Sequence, residues 1–332
     1  MLDFTILALP GAFASGVGAT LDILSSAAVF ASKAGCAVPR WRVYSTQEAV
    51  RLSNGLTIDA SVLPKRPRLD GSIWLVPGLG LNDADAVTRR FSQADIAPVI
   101  RALRRHAHAG GTVAASCSAV FLLGEAGLLA DKRVTTTWWL GGLLQRLHPD
   151  CVVDVDQMVV ADGNVVTGGS AFAHVDLVLH LLRTRFGPAL ADAVSRAMLI
   201  DGRQSQARYI VPTALAHGNE LAARLVARFE AGLPNPPGVA ALATEFCMSS
   251  RTLSRHIKES TGRSVSALLQ SVRLNRARML LESSLMSVEQ VAEQVGYADA
   301  TALRRLMRKM TRATPRQFRP MVFDHKQPAR HG

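Results

Sequence analysis

One pattern occurs twice in this chain, first as Val239-Ala-Ala-Leu-Ala-Thr-Glu-Phe-Cys-Met-Ser-Ser-Arg-Thr-Leu-Ser-Arg-His-Ile-Lys258 and again as Val288-Glu-Gln-Val-Ala-Glu-Gln-Val-Gly-Tyr-Ala-Asp-Ala-Thr-Ala-Leu-Arg-Arg-Leu-Met-Arg308. Leu242 recurs 49 residues later as Val291, and Leu253 recurs 50 residues later as Leu303, so the second copy has one additional residue in its turn. A short helix, a tight turn and a second helix with a basic face form the motif that places a helix in the major groove of DNA. The repeat therefore predicts an all-α C-terminal domain with two helix-turn-helix motifs, and it indicates double-stranded DNA as a partner.

The second helix of each copy has an apolar face and a polar face. The apolar stripes, at helical spacing, are Leu253 and Ile257 in the first copy and Leu303, Leu306, Met307 and Met310 in the second. The opposite faces carry the residues that we predict to bind DNA, namely Arg251, Ser254, Arg255, Lys258, Thr301, Arg304, Arg305 and Arg308. Arg can bind both guanine edges and phosphates, and Ser and Thr hydroxyls reach either.

An uninterrupted helix is predicted between the two motifs, over Ser264–Ser283. At 1.5 Å per residue it spans roughly 28 Å. Successive major grooves on one face of DNA lie roughly 34 Å apart. We therefore expect each monomer to bind two adjacent major grooves, with some tilt of the helix or bending of the DNA.

Four blocks of this region resemble the DNA-binding domain of the AraC/XylS family of bacterial transcription regulators. They are Ser249-Ser-Arg-Thr-Leu-Ser-Arg255, Arg273-Leu-Asn-Arg-Ala-Arg-Met-Leu-Leu281, Ser287-Val-Glu-Gln-Val-Ala-Glu-Gln-Val-Gly-Tyr297 and Thr314-Pro-Arg-Gln-Phe-Arg319. The resemblance covers about Asn219 to Arg319 and implies a transcription regulator, commonly an activator, that forms a homodimer, here expected through the N-terminal domain. Two positions depart from the family pattern: Cys247 stands where Gly or Ala is usual, and Ala302 where an aromatic residue is common.

Charge is unevenly distributed along the 332 residues. From Ala216 onward there are 18 Lys/Arg against 9 Asp/Glu, whereas the preceding part has 20 against 17. A basic module joined to a nearly neutral one is typical of a polyanion-binding domain fused to a domain with another role. The length is sufficient for two domains with their own cores.

The spacing of the cysteines argues against a metal site. The sequence also contains no pattern that indicates a cofactor. The four cysteines are Cys36, Cys117, Cys151 and Cys247, and none is in a CxxC or other metal-binding spacing. Such a set is typical of reduced thiols in a cytoplasmic protein. The N-terminus lacks signal-peptide features, and no stretch approaches the roughly 18 apolar residues that a membrane helix needs, so no membrane partner is expected.

The first 200 residues alternate short apolar strands with helical stretches, which predicts an α/β domain with a parallel sheet. The predicted organisation is an N-terminal domain over residues 1–200, a polar linker over 201–218, the DNA-binding domain over 219–320 and a flexible tail over 321–332. A hairpin is expected within Val50–Ala60, turning at Asn54-Gly55.

The stretch Gly111-Thr-Val-Ala-Ala-Ser-Cys-Ser-Ala-Val-Phe-Leu-Leu123 predicts a strand, a single turn residue and a helix. This layout projects the side chain of Cys117 at the carboxyl edge of the sheet, where ligands of open α/β sheets bind. A thiol at a helix N-terminus is expected to favour the thiolate. Val76-Pro-Gly78 ends a neighbouring strand, and Asp22 lies early in a helix behind the first strand.

These residues resemble the class I glutamine-amidotransferase-like (ThiJ/PfpI) superfamily, in the branch fused to AraC-type domains. The shared blocks are Leu21-Asp22, Val76-Pro-Gly78, Ala115-Ser-Cys-Ser-Ala-Val-Phe-Leu-Leu-Gly-Glu-Ala-Gly-Leu-Leu129, Thr135-Thr-Thr-Trp138 and Val175-Asp-Leu-Val-Leu179. The resemblance covers nearly all of residues 1–200. It implies a flavodoxin-like parallel sheet with helices on both faces.

The sequence lacks the bases that hydrolytic relatives use. Those relatives place a His directly after the cysteine, where this chain has Ser118, and related regulators often have a His where this chain has Thr137. A nucleophilic thiol needs a positioned base, so we expect a domain that binds a small-molecule effector without turning it over. The predicted ligand-binding residues are Asp22, Gly78, Cys117, Ser118 and Thr137.

Two alternatives remain open at this stage. One is a Cys117-dependent hydrolase or hydratase fused to a DNA-binding domain. The other is a regulator that senses oxidation of Cys117. The sequence does not identify the effector, the operator, or whether regulation is positive or negative.

Overall fold

The computed structural model describes residues 2–68, 70–215 and 219–319. The predicted tail over 321–332 lies outside these residues. The strands are β1 (Phe4–Leu7), β2 (Trp41–Ser45), β3 (Ala49–Arg51), β4 (Thr57–Asp59), β5 (Ser61–Val62), β6 (Ile73–Val76), β7 (Val113–Ser116), β8 (Arg133–Val134), β9 (Val152–Val153), β10 (Val159–Asp162) and β11 (Val165–Gly168).

The helices follow in two groups. In the N-terminal part they are α1 (Ala14–Phe30), α2 (Ala84–Phe91), α3 (Ile96–His108), α4 (Val120–Glu125), α5 (Gly141–Leu147), α6 (Ala173–Phe186) and α7 (Pro188–Ala197). Further along the chain they are α8 (Pro212–Leu215), α9 (Glu220–Gly232), α10 (Val239–Glu245), α11 (Ser250–Thr261), α12 (Val265–Ser283), α13 (Val288–Gln294) and α14 (Ala300–Thr311).

Seven strands form one mostly parallel sheet, in the order β10-β11-β7-β6-β1-β2-β5. Only β10 pairs antiparallel within it, with β11. The predicted hairpin is present as β3 and β4, which pair antiparallel around a turn in which Gly55 has φ 88°. The fold is therefore the expected flavodoxin-like sheet.

The central strands are apolar on both faces because helices cover both sides of the sheet. Along β6, Ile73 and Leu75 pack in a core with residues of α1, α6 and α7, whereas Trp74 and Val76 pack in a second core with residues of α3 and α4. The period-2 alternation of side chains thus separates two buried layers. Every residue of β1, β6, β7 and β11 is buried.

The sequence did not predict every element. The elements α2, α5, α8, β5 and β10 are among those that it missed. β10 is an edge strand of four residues with partly exposed side chains, so it lacks the continuous apolar run that marked the central strands. The helix α5 begins with two glycines, which have poor helix propensity and obscured it.

The described chain divides into two compact units, and the division differs from the predicted domains. One unit comprises the residues up to Tyr209 together with Ser254–Ser264, and the other comprises Ile210–Leu253 and the residues from Val265 onward. Residues 201–209, which the sequence assigned to a linker, belong to the first unit because Ser205, Gln206 and Ala207 are buried there. Ser254–Ser264 are in that unit as well, where the Arg263 side chain pairs with Asp156.

In the second unit, α12, α13 and α14 enclose a core that contains Leu274, Val291, Leu303 and Met307. The connecting helix α12 has 19 residues, as the sequence predicted to within one residue. Side-chain caps fix the starts of the motif helices: Ser287 and Gln290 form a capping box on α13, and Asp299 accepts from the backbone N of Ala302 at the start of α14.

Within the described ranges, no helix is long and apolar enough to cross a membrane. Nor do the described residues contain a group of three or more His, Cys, Asp or Glu side chains arranged to hold a metal ion.

Candidate functional site

The carboxyl ends of β1, β6, β7 and β11 meet at one edge of the sheet, because all four strands are parallel neighbours. The residues that follow three of these strands are Gly78, Cys117 and Gly169. The N-terminal part of α1, which follows β1, packs against this edge: a Cβ on Gly16 would lie 3.4 Å from Cβ of Pro77. This edge is the candidate ligand site that the sequence predicted.

Cys117 occupies a sharp turn between β7 and the helical segment that leads into α4. Its φ is 54°, in the left-handed region that non-glycine residues rarely adopt. The turn is held by two hydrogen bonds: the Cys117 backbone N donates to the Gly169 carbonyl O at 2.7 Å, and Thr136 Oγ1 donates to the Cys117 carbonyl O at 2.7 Å. The predicted elbow geometry is therefore present.

Cys117 is 1% exposed, and this burial has a chemical consequence for its thiol. Burial raises the pKa of the Cys117 thiol, and hydrogen bonds from Ser118 and Thr137 oppose the rise only in part. This direction is opposite to the sequence-based expectation that a helix N-terminus would favour the thiolate, because desolvation disfavours the charged form. The thiol is held protonated.

Gly78 packs directly against the elbow. A Cβ on Gly78 would lie 2.8 Å from the Cβ of Cys117, which no relaxed structure allows, and 3.3 Å from the Ser116 carbonyl O. Ser118, also predicted as a ligand residue, is fully buried and donates from Oγ to the Leu79 carbonyl O at 2.5 Å. These residues shape the wall of the site rather than project free polar groups into it.

His174 is a component of the site that the sequence analysis did not assign. It is the second residue of α6 and is fully buried. Its Nδ1 lies 2.8 Å from Ser116 Oγ, and its Nε2 lies 2.7 Å from Thr20 Oγ1. Ser116 Oγ also accepts from the Gly78 backbone N at 3.2 Å. His174 thereby links α1 and α6 to the strand ends beside Cys117.

The direction of these hydrogen bonds defines the tautomer of His174. Thr20 Oγ1 donates to the Gly16 carbonyl O at 2.8 Å, so it accepts from His174 Nε2–H. The unprotonated Nδ1 then accepts from Ser116 Oγ, whose lone pair accepts the Gly78 N–H. Each donor in this series of hydrogen bonds, from Gly78 N–H to Thr20 Oγ1–H, therefore has an acceptor. Burial lowers the pKa of His174 to about 4, so the ring is neutral at physiological pH.

His174 does not hydrogen-bond the Cys117 thiol and so is not positioned to act as its base. The imidazole contacts Ser116, the residue before Cys117, and both of its nitrogens are occupied by hydroxyl groups. Among the residues that the structure describes, no imidazole or carboxylate hydrogen-bonds the Cys117 thiol. A signal for His174 existed in the sequence only as a histidine at a helix start, which did not connect it to the elbow.

Asp22 is not brought to this group. Its side chain is exposed on α1, whereas the buried Thr20 faces the site. Two residues correspond to about 200° around a helix, so Asp22 faces away from Thr20. The geometry gives no support to Asp22 as a ligand residue.

Thr137 lies at the junction between the elbow and the loop after β11. It is fully buried, and its Oγ1 lies 3.2 Å from Ser170 Oγ. Trp138 and Trp139, which follow it, are half-buried and pack edge to face with ring centroids 5.2 Å apart. Thr137, Ser118 and Gly78 therefore all lie next to Cys117.

The structure also places the predicted DNA-binding side chains on the surface. Leu253 and Ile257 of α11 and Leu303 and Met307 of α14 are fully buried, as their spacing predicted. The exposed residues of the opposite faces are Arg251, Arg255, Lys258, Thr301, Arg304, Arg305 and Arg308, and Ser254 is half-buried. Arg304 also pairs with Glu289 of α13 at 3.1 Å, with both partners exposed.

The two helix-turn-helix motifs use the same backbone conformation in their turns. Gly296 has φ 81° and Cys247, its counterpart 49 residues earlier, has φ 54°. Glycine adopts this region without steric cost, whereas a residue with a Cβ is strained there by roughly 1 kcal/mol. The conformation explains why glycine is usual at the position that Cys247 occupies.

Gly78→Ala is expected to destabilise the protein by about 1–3 kcal/mol, because the added methyl group overlaps Cys117 in a packed site. Gly18→Ala is the matched control, since Gly18 lies inside α1 with nothing within 4 Å of an added Cβ. Urea unfolding followed by circular dichroism measures both. Equal stability of the two variants would contradict the close packing of Gly78 on the elbow.

The lowered pKa of His174 predicts a pH dependence of stability. Between about pH 4 and the ordinary pKa of 6.5 the unfolded chain binds this proton and the folded chain does not, so stability falls as the pH drops through that range. The loss amounts to about 3 kcal/mol at most. His174→Gln removes the proton-binding ring, and urea unfolding from pH 7 to pH 4 should show a smaller loss for this variant than for the wild type. Parallel curves would contradict a neutral buried imidazole.

Comparison with known proteins agrees with the two-part architecture. Residues 19–184 match the DJ-1/PfpI family, and residues 242–321 match a family described as a helix-turn-helix domain. The HTH-type transcriptional regulator CdhR of Pseudomonas aeruginosa is 28% identical over 331 residues, covering 98% of this chain and 94% of that protein. The isonitrile hydratase of Pseudomonas putida is 37% identical over 92 residues, covering 28% of this chain and 39% of that enzyme.

A solved structure extends the comparison to the fold. The crystal structure of an AraC family transcriptional regulator from Pseudomonas putida matches with a TM-score of 0.51 at 18% identity, covering 60% of this chain and all of that chain (100%). The likeness is one of fold. From the family matches and the geometry of the elbow, the chain belongs to the DJ-1/PfpI family and carries an AraC-type helix-turn-helix domain behind its DJ-1/PfpI part.

Proposed function

We propose that this protein is a sequence-specific transcription regulator whose N-terminal unit binds a small-molecule effector without converting it. Effector binding at the elbow alters how the helix-turn-helix region binds DNA. The proposal includes activation of transcription, action in the cytoplasm where bacterial DNA lies, and a homodimer formed through the N-terminal domain. The named relative CdhR, which aligns over nearly the whole chain, supports regulation as the general role.

One observation carries the proposal: the chain combines two kinds of site. The second helix of each helix-turn-helix motif has a basic, exposed face, and the α/β unit has a buried elbow lined by hydroxyl groups. Exposed arginines on a helix that follows a tight turn suit base and phosphate contacts. The helix α12 has 19 residues, which at 1.5 Å each give roughly 28 Å. That length supports binding of two adjacent major grooves by each monomer.

Catalysis at Cys117 is less well supported. A nucleophilic cysteine reacts as the thiolate, and burial raises the pKa of this thiol. The isonitrile hydratase relative indicates that related chains can be enzymes, but the neutral His174 contacts Ser116 and not the thiol. The same burial argues against a redox sensor, because oxidation also proceeds through an exposed thiolate.

The DNA-binding faces make a direct prediction. Arg255→Ala and Arg305→Ala are each expected to weaken binding to a duplex selected from a random pool by the wild-type protein, by about 1–3 kcal/mol if the side chain contacts a base. Arg101→Ala is the matched control, because Arg101 is also exposed but lies on α3, outside both helix-turn-helix motifs. Fluorescence anisotropy at fixed salt measures the Kd.

A loss that is the same on all duplex sequences would mean that the arginine contacts only phosphate. Unchanged affinity of both variants would contradict the assignment of α11 and α14 as DNA-reading helices.

The effector is accessible to a thermal-shift screen of the purified protein against a metabolite library. We expect a metabolite that raises the melting temperature and is recovered unchanged after incubation, because the site holds a protonated thiol without a base. Stabilisation follows from binding to the folded state alone. Mass spectrometry of the recovered metabolite is the decisive readout. Consumption of the metabolite by the wild type but not by Cys117→Ala would overturn the sensor and favour the enzyme.

A further inference from the structure

The segment that leaves the first unit is bound to the candidate ligand site by one buried side chain. Residues 203–209, which we call the strap, end the continuous part of the first unit, and the chain then enters the second unit at Ile210. Gln206 lies in the middle of the strap and is 2% exposed. It fills the space above Gly169, where a Cβ would lie 2.1 Å from Gln206 Cδ.

The Gln206 amide joins three loops at the carboxyl edge of the sheet. Its Oε1 accepts from the backbone N of Ser170 at 2.8 Å and from Ser170 Oγ at 3.0 Å. Its Nε2 lies within hydrogen-bonding distance, 3.0–3.2 Å, of four acceptors: Thr135 Oγ1, Thr136 O, Val155 O and Gln157 O. Both the donor and the acceptor capacity of the amide are therefore used.

Other strap residues make further contacts, and the buried Ser205 donates from Oγ to the Asp156 carbonyl O at 2.9 Å. Gln206 N donates to the Asp156 carbonyl O at 2.8 Å, and Met158 N donates to the Gln204 carbonyl O at 3.2 Å. The half-buried Arg203 side chain pairs with the buried Asp176 at 2.7 Å. Gln206 is thus the strap side chain that reaches the interior of the site.

Two short paths lead from Gln206 to the elbow. Ser170 Oγ contacts Gln206 Oε1 on one side and Thr137 Oγ1 on the other. The Thr137 hydroxyl in turn hydrogen-bonds the Cys117 thiol. Gly169, which Gln206 covers, accepts the Cys117 backbone N–H through its carbonyl O. A change at Cys117 therefore reaches Gln206 through Thr137 and Ser170 on the first path and through Gly169 alone on the second.

We propose that Gln206 couples occupancy of the elbow site to the second unit by holding the strap docked or letting it release. A ligand that hydrogen-bonds the hydroxyls of Thr137 or Ser170 competes with the contact between Ser170 and Gln206. The two arrangements of the strap then differ in affinity for the ligand, which is the requirement for coupling between two sites. This inference rests on the proposed function, since it assigns the regulation of the same site.

The test compares Gln206→Ala with Gln204→Ala in the full-length protein. Gln204 is the matched control, because it is the same residue type in the same strap but its side chain is exposed. The probe is a duplex selected from a random pool by the wild-type protein, and the readout is its Kd in the absence of any effector. We expect Gln206→Ala to change the Kd at least fivefold and Gln204→Ala to stay within twofold of the wild type.

A change of less than fivefold in a folded Gln206→Ala variant would overturn the proposal. If that variant does not fold by circular dichroism, Ser170→Ala replaces it under the same criterion, because it removes only the hydroxyl between Thr137 and Gln206.

Hydrogen–deuterium exchange of the wild type provides a second measurement that does not depend on DNA. The amides of Gln206, Met158 and Ser170 should be protected at least tenfold relative to an unstructured peptide, because each donates to a docked partner. Unprotected amides would overturn docking of the strap. If the strap is protected but the wild type selects no duplex, the proposed function fails while docking of the strap stands, so the two failures are distinguishable.

Discussion

The left-handed turn at Cys117 is the constraint on which the candidate site depends. It directs the chain from a central parallel strand into a helix within a single residue, and the hydrogen bond from Cys117 N to Gly169 O holds it there. The turn brings Cβ of Cys117 so close to Gly78 that no side chain fits at that position. Gly169 is restricted in the same way by Gln206. The backbone conformation at Cys117 therefore requires the glycine at position 78, and the Gln206 side chain requires the one at position 169.

Within the described part of the chain, hydroxyl and backbone groups satisfy the polar atoms around this turn, and charged side chains do not hydrogen-bond them. His174 remains neutral because it is fully buried and its neighbours Thr20 and Ser116 can each donate or accept as the ring requires. The Cys117 thiol remains protonated because burial disfavours the thiolate. A site built this way orders its loops and offers exchangeable hydrogen bonds. Among the described residues around the turn, no ionised side chain of the kind that acid–base or nucleophilic chemistry uses hydrogen-bonds Cys117.

The helix-turn-helix region shows the same relation between a turn and its residues. Both motifs need a left-handed residue between their helices, and the sequence provides Gly296 in one and the strained Cys247 in the other. Beyond the turn, Leu303 and Met307 point inward while Arg304, Arg305 and Arg308 point outward, as the helical period requires. Local periodicity is sufficient to assign these faces because each is decided within one helix.

The sequence by itself determined the class of each part, the repeated motif, the central strands and the elbow at Cys117, since these depend on contiguous patterns of apolar residues, glycines and turn residues. It predicted the grouping of Gly78, Ser118 and Thr137 with Cys117, because parallel strands end at a common edge. It also placed Asp22 in the site, whereas in the structure Asp22 is exposed on α1 and faces away from Thr20.

Only the tertiary structure decided the protonation of the thiol, the role of His174 and the docking of Gln206. His174 is 58 residues from Ser116 and 154 from Thr20 in the chain, and Gln206 is 36 from Ser170. Contacts at such separations leave no periodic signal, and desolvation depends on everything that packs around a group. Local order is encoded locally, whereas burial is a property of the whole fold.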